Sequence, residues 1–148
     1  MRSEKKANLY IALLHYPIYN KNKKLVTTAV TSFDIHDIAR LARTYDIPKF
    51  YIVTPIESQR LLTERIITHW TEGFGAGYNP TRGEALKIVS VVPDLKAVKG
   101  DIAKKEGSRP KIVVTDARIF KGAIDYSVLR KRIRKGRTSY LVLFGTGW

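Results

Sequence analysis

Five short segments of the chain are apolar at most positions instead of alternating apolar and polar residues. They lie at 8–16, 49–54, 88–92, 111–115 and 139–144. A strand without alternation is covered on both faces, which is typical of parallel sheets with helices packed on each side. Helical periodicity or helix-start signals mark the intervening segments at 32–45, 57–72, 81–87, 94–106 and 127–135. The sequence therefore predicts an α/β, Rossmann-like fold with a mostly parallel sheet and helices on both faces.

The segments between these elements are less clearly defined. We interpret 17–24 and 73–80 as loops, and 25–31 as either a further strand or an extended lead-in to the first helix. Ser32 or Asp34 is the expected N-cap of that helix. Gly73, Gly75 and Gly77 resemble a dinucleotide-binding fingerprint, but they follow a predicted helix, whereas that fingerprint needs a strand before its glycines.

Length and composition exclude several classes of protein. A length of 148 residues favours one domain, and the absence of Cys excludes disulfides, thiolate metal sites and cysteine nucleophiles. No segment approaches the roughly 20 apolar residues of a membrane-spanning helix. The first six residues are mostly charged or polar, so we expect no signal peptide and a cytoplasmic protein.

The charge of the chain indicates an anionic partner. Lys and Arg number 27 against 13 Asp and Glu, which gives a net charge of +14. Such an excess is typical of nucleic-acid binding, although it also occurs on merely soluble surfaces. The basic residues are clustered, because Lys21, Lys23 and Lys24 share one loop and six others lie within 130–137. The second cluster also suits the negative end of a helix dipole. Its members are Arg130, Lys131, Arg132, Arg134, Lys135 and Arg137.

Ligands of parallel sheets bind beyond the carboxyl ends of the strands, so the residues that follow each strand are candidate site residues. They are Thr54-Pro55, 115–118 and 145–148. Glycine after a buried strand lets a backbone approach a ligand closely, and an ordinary turn is the alternative. Asp34, His36 and Asp37 suggest either metal ligation or acid–base chemistry. No second His lies nearby in the sequence, so we expect no metal and favour an N-cap with polar residues lining a cleft.

Short motifs spread in order over nearly the whole chain are similar to those of the SPOUT (α/β-knot) RNA methyltransferases. The resemblance is closest to the small branch related to a C-terminal extension of some bacterial tRNA guanine-N1 methyltransferases. It includes the motifs HYP, SFDIHDIAR, YIVTP and LFGTGW. The matching residues are 15–17, 20–21, 32–40, 42–45, 51–55, 79–80, 82, 84–86, 115, 117–118 and 143–148.

The resemblance implies transfer of a methyl group from S-adenosylmethionine to tRNA or rRNA by a homodimer with its active site at the subunit interface. It implies that Arg40 faces the substrate, although Asp34 and His36-Asp37 stand where the family usually has Asn and Gly. In the family a trefoil knot forms the cofactor pocket, and its last helix would follow Trp148. We therefore expect the knot only if the chain continues past Trp148. Otherwise we expect residues 1–148 to form one SPOUT-like domain that lacks the knot segment. The implied cofactor-binding residues are Thr115, Ala117, Leu143, Phe144, Gly145, Thr146 and Gly147.

Methyl transfer from a sulfonium depends mainly on alignment of the reacting atoms, with a general base where the acceptor carries a proton. Asp34, His36 and Asp37 are the candidate bases, and Arg40 could orient a phosphate or a base. Arg43 and the two basic clusters would hold RNA phosphates. Two other functions stay open: an RNA-binding module that has lost its chemistry, and a small-molecule enzyme of the doubly wound class.

Overall fold

The computed structural model describes residues 8–148, so the N-terminal residues for which we expected no signal peptide lie outside it. Within the described residues there are seven strands and six helices. The strands are β1 (Leu9–Leu14), β2 (Ile18–Tyr19), β3 (Leu25–Val26), β4 (Phe50–Val53), β5 (Val89–Val92), β6 (Lys111–Val114) and β7 (Tyr140–Gly145). The helices are α1 (Ser32–Thr44), α2 (Glu57–Thr71), α3 (Phe74–Tyr78), α4 (Pro80–Leu86), α5 (Leu95–Glu106) and α6 (Tyr126–Lys135).

The main sheet is parallel, as the continuous apolar segments predicted. Its five strands lie in the order β5-β4-β1-β7-β6. Leu14 at the end of β1 pairs with Val53 of β4 on one side and with Gly145 of β7 on the other. The carboxyl ends of these three strands therefore meet at one edge, where ligands of parallel sheets bind.

Helices cover both faces of this sheet, which confirms the predicted fold class. On one face, α1, α2 and α4 pack against β1, β4 and β5 around Ile35, Phe50 and Leu86. On the other face, α5 packs through Val98 and Ile102 against the opposite side chains of β1, β4 and β7. Neither core cluster includes a residue of α6, and none of its residues is buried.

The structure differs from the sequence prediction in two connecting segments. Residues 17–26 form a small antiparallel hairpin, β2–β3, where we predicted a loop and then a strand or extended segment. The Asn20 Oδ1 atom accepts hydrogen bonds from the backbone N–H groups of Asn22 and Lys24, and this local turn closes the hairpin. The second difference is α3, a short helix where we predicted a loop.

The first helix starts at the predicted residue, but its N-cap differs from the prediction. Its N-cap is Thr31 and not Ser32 or Asp34. The Thr31 hydroxyl accepts from the Asp34 backbone N–H at 3.2 Å, and the Asp34 carboxylate accepts from the Thr31 backbone N–H at 2.8 Å. This capping box uses both residues and fixes the start of α1.

Among the helices of residues 8–148, none combines the length and the apolar character needed to cross a membrane.

Candidate functional site

The segment after β7, which we call the elbow (residues 145–147), is held against the β2–β3 hairpin. The Thr146 hydroxyl donates to the carbonyl oxygen of Leu14 at 2.9 Å, and the Trp148 N–H donates to the carbonyl oxygen of Tyr19 at 2.9 Å. A Cβ atom at Gly147 would collide with the Ile18 side chain and lie 2.6 Å from the Tyr19 oxygen. Gly147 is therefore required by the contact with the hairpin.

Gly145 is in a different environment from Gly147. A Cβ atom there would make only an ordinary contact, at 3.5 Å, with Ile18 Cδ1. Phe144 and Gly145 are both exposed, and so is Ala117 across the edge after β6. This open stretch of backbone fits a cofactor that contacts main-chain groups. Beside Gly147, in contrast, the corresponding space is already occupied by the Ile18 side chain.

Thr115 and Leu143 are brought together, as a shared cofactor site requires. The Thr115 hydroxyl donates to the Leu143 carbonyl oxygen at 2.9 Å, and the Thr115 N–H donates to the same oxygen at 3.2 Å. Leu143 is buried, and its side chain belongs to the core that packs against α5. The predicted cofactor residues thus lie along the carboxyl ends of β6 and β7.

A buried histidine links the ends of β1 and β7. His15 is 1% exposed, and its Nδ1 lies 2.9 Å from the Thr28 hydroxyl. The Thr28 hydroxyl in turn contacts the hydroxyl of Thr146 in the elbow. We call this chain of groups, from His15 through Thr28 to Thr146 and the Leu14 carbonyl, the His15 relay.

The direction of the His15 relay follows from the number of protons available. Thr146 donates its single hydroxyl proton to Leu14, so Thr28 must donate to Thr146. The contact of the Thr28 hydroxyl with the His15 carbonyl is long, at 3.5 Å, and does not compete. His15 must therefore donate from Nδ1, which leaves its Nε2 as an acceptor.

The other side of the imidazole faces a carboxylate. His15 Nε2 lies 3.8 Å from Asp34 Oδ2 and has no hydrogen-bond partner among the described residues. Burial lowers the pKa of His15, and the charge of Asp34 opposes this only in part. The imidazole is therefore neutral near pH 7. Asp34 therefore lies beside His15 at the start of α1, with no hydrogen bond between the two side chains.

The three candidate bases do not lie together. Asp34 faces His15, whereas Asp37 forms an exposed ion pair with Arg40. His36 packs edge-on against Trp70 of α2, with ring centroids 6.0 Å apart. Burial lowers the pKa of His36, and the charges of Arg82 and Arg40 lower it further. The three candidate bases therefore form no single cluster, although Arg40 acts on both His36 and Asp37.

The basic residues predicted to hold RNA are exposed. Lys21, Lys23 and Lys24 lie on the turn of the hairpin that contacts the elbow. The second basic cluster lies on α6 and directly after it, with all six charged side chains exposed. Arg43 is exposed on α1, in a cleft that it shares with Arg82 of α4.

Sequence reasoning missed His15, Thr28, Trp70 and Arg82 as site residues. Of these, His15 and Arg82 occur within motifs that carried the family resemblance, and this was the available signal. Nothing in the sequence pattern pointed to Thr28, because its partner Thr146 is 118 residues away in the chain. Within residues 8–148 no three His, Cys, Asp or Glu side chains are grouped so that they could hold a metal ion.

Curated proteins are similar to this chain over nearly its whole length. A protein of Aquifex aeolicus, named only as uncharacterized, is 46% identical over 140 residues, which cover 95% of this chain and 68% of that protein. Proteins named tRNA (guanine-N(1)-)-methyltransferase from Oleidesulfovibrio alaskensis and Nitratidesulfovibrio vulgaris are each 42% identical over 94% and 95% of this chain. The matched part is 32% of each of these two proteins, so the chain spans about a third of their length.

A family model described as SAM-dependent RNA methyltransferase matches residues 8–148. This match covers every element of the fold and confirms the RNA methyltransferase resemblance of the sequence motifs. The chain therefore belongs to the family of SAM-dependent RNA methyltransferases, whose methyl donor is S-adenosylmethionine.

Proposed function

We propose that this chain transfers the methyl group of S-adenosylmethionine to a nucleotide of RNA, with tRNA as the substrate class. The observation that carries the proposal is the family match over residues 8–148, which includes the elbow at the carboxyl edge of the sheet. The names of the two relatives of 42% identity support tRNA as the substrate.

S-adenosylmethionine supplies an electrophilic methyl group on a sulfonium that loses its positive charge in the reaction. The backbone of 143–146, with Thr115 and Ala117 opposite, would hold this cofactor. None of these residues is charged, and a neutral polar environment does not oppose the loss of positive charge during transfer. The His15 relay keeps Thr146 in place while the exposed Gly145 leaves the backbone accessible.

The substrate-binding part of the proposal rests on α1. Arg40 would orient the RNA, because its side chain is 62% exposed and its guanidinium carries donors suited to a phosphate or a base. Among the candidate bases we propose Asp34 first, since it contacts His15, which is linked to the elbow. His36 and Asp37 are the alternatives. The lowered pKa of His36 leaves its imidazole neutral, as a base must be, and Asp37 lies beside the proposed substrate residue Arg40.

We also propose that the chain is a cytoplasmic protein of the SPOUT class and that it forms a homodimer. The support for the homodimer is an exposed apolar stripe along α1 and its C-cap. Phe33, Leu41 and Tyr45, spaced eight and four residues apart, are all more than half exposed. Such a stripe suits a partner surface. Sedimentation equilibrium should show a dimer that Leu41→Asp converts to monomers, and a monomer in the unsubstituted protein contradicts this part.

Two measurements test the catalytic proposal: calorimetric titration with S-adenosylmethionine, and methyl incorporation into an unmodified tRNA transcript. Gly145→Leu should abolish cofactor binding because the new side chain fills the open edge. Gly100→Leu is the matched control, since a Cβ there has nothing within 4 Å and a Cβ at Gly145 makes only one ordinary contact, at 3.5 Å. Arg40→Ala should reduce methyl incorporation and leave cofactor affinity nearly unchanged. No binding of S-adenosylmethionine by the unsubstituted protein would refute the proposal.

A second candidate function is an RNA-binding module without chemistry. It is favoured by the net charge of +14 and by α6, whose exposed basic side chains exceed what a small catalyst needs. Salt-sensitive retention of RNA without any methyl incorporation would support this candidate instead.

A further inference from the structure

A cleft of about 300 Å³ lies between α1 and α4, and three arginines line it. Arg40 and Arg43 reach it from α1, and Arg82 reaches it from α4. The other polar lining residues are uncharged, so no carboxylate belongs to the lining. A concave surface lined by cations of two helices is complementary to an anion.

The charge of the cleft is only partly neutralised by its surroundings. Arg40 is paired with Asp37, and Arg43 lies 3.5 Å from Asp46, whose side chain is 91% exposed. Exposed pairs of this kind contribute little free energy and exchange readily for another anion. Arg82 forms no ion pair within residues 8–148.

The Arg82 side chain is held in place before any ligand binds. Its guanidinium lies over the Trp70 ring, 4.3 Å from the ring centroid. The Trp70 ring in turn is closely packed, because a Cβ at Gly75 would lie 2.5 Å from its Cε3 atom. A stacked guanidinium keeps its edge N–H groups available and loses little conformational entropy on binding.

Both hydroxyl groups that line the cleft are already used as donors. The Thr44 hydroxyl donates to the Arg40 carbonyl oxygen at 2.8 Å, and the Thr81 hydroxyl donates to Asn79 Oδ1 at 2.8 Å. Recognition therefore depends on the three guanidinium groups. Their planar sets of donors match the oxygens of a phosphate, and binding by charge alone is strongly salt-dependent.

We propose that the cleft between α1 and α4 binds a backbone phosphate of the RNA substrate through Arg40, Arg43 and Arg82. The inference rests on the proposed RNA substrate and assigns a new binding residue, Arg82, together with Trp70, which positions it. A phosphate held here is read without regard to sequence and fixes the position of the RNA along α1.

Binding of an unmodified tRNA transcript over a range of salt concentrations tests the proposal. Arg82→Gln should lower the steepness of log K against log salt by about 0.7–1, the contribution of one neutralised phosphate. Arg82→Lys keeps the charge and should keep the salt dependence. It should still bind tRNA more weakly, because lysine has no planar group to stack on Trp70. Arg109→Gln is the matched control, because it removes one exposed arginine from the loop before β6.

The outcomes separate this inference from the catalytic proposal. Equal salt dependence for Arg82→Gln and Arg109→Gln overturns the phosphate site, even if the protein binds S-adenosylmethionine and methylates tRNA. A reduced salt dependence for Arg82→Gln alone supports the site, even if no methyl transfer occurs. If the unsubstituted protein does not bind tRNA at all, both the site and the proposed substrate are wrong.

Discussion

The His15 imidazole connects two strand ends that are far apart in the sequence. Because it donates from Nδ1 to Thr28, it also determines where the Thr28 and Thr146 hydroxyl protons point. A buried hydroxyl that loses its donor leaves an unsatisfied polar group, which costs about 1–3 kcal/mol. The relay therefore couples the stability of the fold to the position of the elbow.

The two amide substitutions of His15 should have different effects. His15→Asn places an amide N–H near the position of Nδ1 and should preserve the relay, whereas His15→Gln places it near Nε2 and should break it. We expect His15→Gln to lower the free energy of unfolding by about 1–3 kcal/mol more than His15→Asn, and to weaken S-adenosylmethionine binding. Urea unfolding and calorimetry measure the two effects. Equal losses in both variants would show that Nδ1 has no special role.

The two glycines of the elbow should separate stability from cofactor binding. Gly147→Ala forces a Cβ into Ile18 and against the Tyr19 oxygen, and should cost roughly 1–3 kcal/mol of stability. Gly145→Ala introduces only an ordinary contact and should leave the urea midpoint nearly unchanged while weakening cofactor affinity. The expectation is wrong if Gly145→Ala destabilises the protein as much as Gly147→Ala does.

Strands and helices that bury a continuous apolar surface were predictable from the sequence to within one or two residues. The hairpin was not, because β2 and β3 have two residues each and depend on a side-chain turn at Asn20. The α3 helix contains two glycines, and its contact with Trp70 explains why it forms. The local pattern in both segments favours a loop, and tertiary contacts decide otherwise.

Packing of α2 against α3 and α4 depends on glycine at position 83. A Cβ there would lie 2.6 Å from a backbone oxygen of Trp70, which cannot move aside without shifting α2. Gly83→Ala should therefore destabilise the fold by about 1–3 kcal/mol despite the better helix propensity of alanine. Gly77→Ala is the control, since nothing lies within 4 Å, and it should be neutral or stabilising. Urea unfolding of both variants decides, and equal midpoints contradict the packing argument.

The attachment of α5 to the sheet should depend on pH. Asp101 accepts from Tyr51 at 2.6 Å and from Lys49 at 2.9 Å. Burial raises the pKa of Asp101, but these hydrogen bonds and the charges of Lys49 and Lys105 outweigh it and bring the pKa to about 2, from the usual 3.8. A carboxyl group whose pKa is lowered by folding stabilises the protein above its unfolded pKa, and this stabilisation is lost as the pH falls.

Stability should therefore decline as the pH falls from 3.8 towards 2, by an Asp101 contribution on the order of 1 kcal/mol after solvent screening. Asp101→Asn should reduce this part of the pH dependence, as measured by urea midpoints across that range. Asp46→Asn, at a 91% exposed carboxylate, is the control and should leave it unchanged. If both variants retain the full pH dependence, the contacts of Asp101 do not contribute to stability.

In the molecule as a whole, the sheet order brings the candidate site together. Because β7 lies between β1 and β6, the elbow, His15 and Thr115 share one edge, and the hairpin carries its lysines to the same edge. The sequence predicted this edge, since the carboxyl ends of parallel strands are the ligand-binding side. It could not predict the His15 relay or the stacking of Arg82 on Trp70, because both depend on side chains from elements distant in the chain.

The distribution of charge over the molecule should matter more for RNA binding than its total. The exposed arginines of α6 lie on a helix that contributes no buried residue, so their side chains are available to phosphates. Lys96, Lys99 and Lys104 of α5 are equally exposed on the face of the sheet opposite α1 and α4. Replacing either set removes three positive charges, so the two triple variants have the same net charge.

We expect the triple variant Arg130→Gln, Arg132→Gln, Arg134→Gln to bind a tRNA transcript more weakly, with its salt dependence reduced by about one for each phosphate that the protein no longer neutralises. The matched variant Lys96→Gln, Lys99→Gln, Lys104→Gln should lose much less affinity and keep its salt dependence. Titrations at several salt concentrations, with S-adenosylmethionine affinity as a check on the intact fold, measure both. A long-range electrostatic field depends on the net charge of the protein, whereas a contact depends on the position of each charge. If the two variants weaken binding equally, the field of the whole protein attracts RNA and α6 is not a specific contact surface.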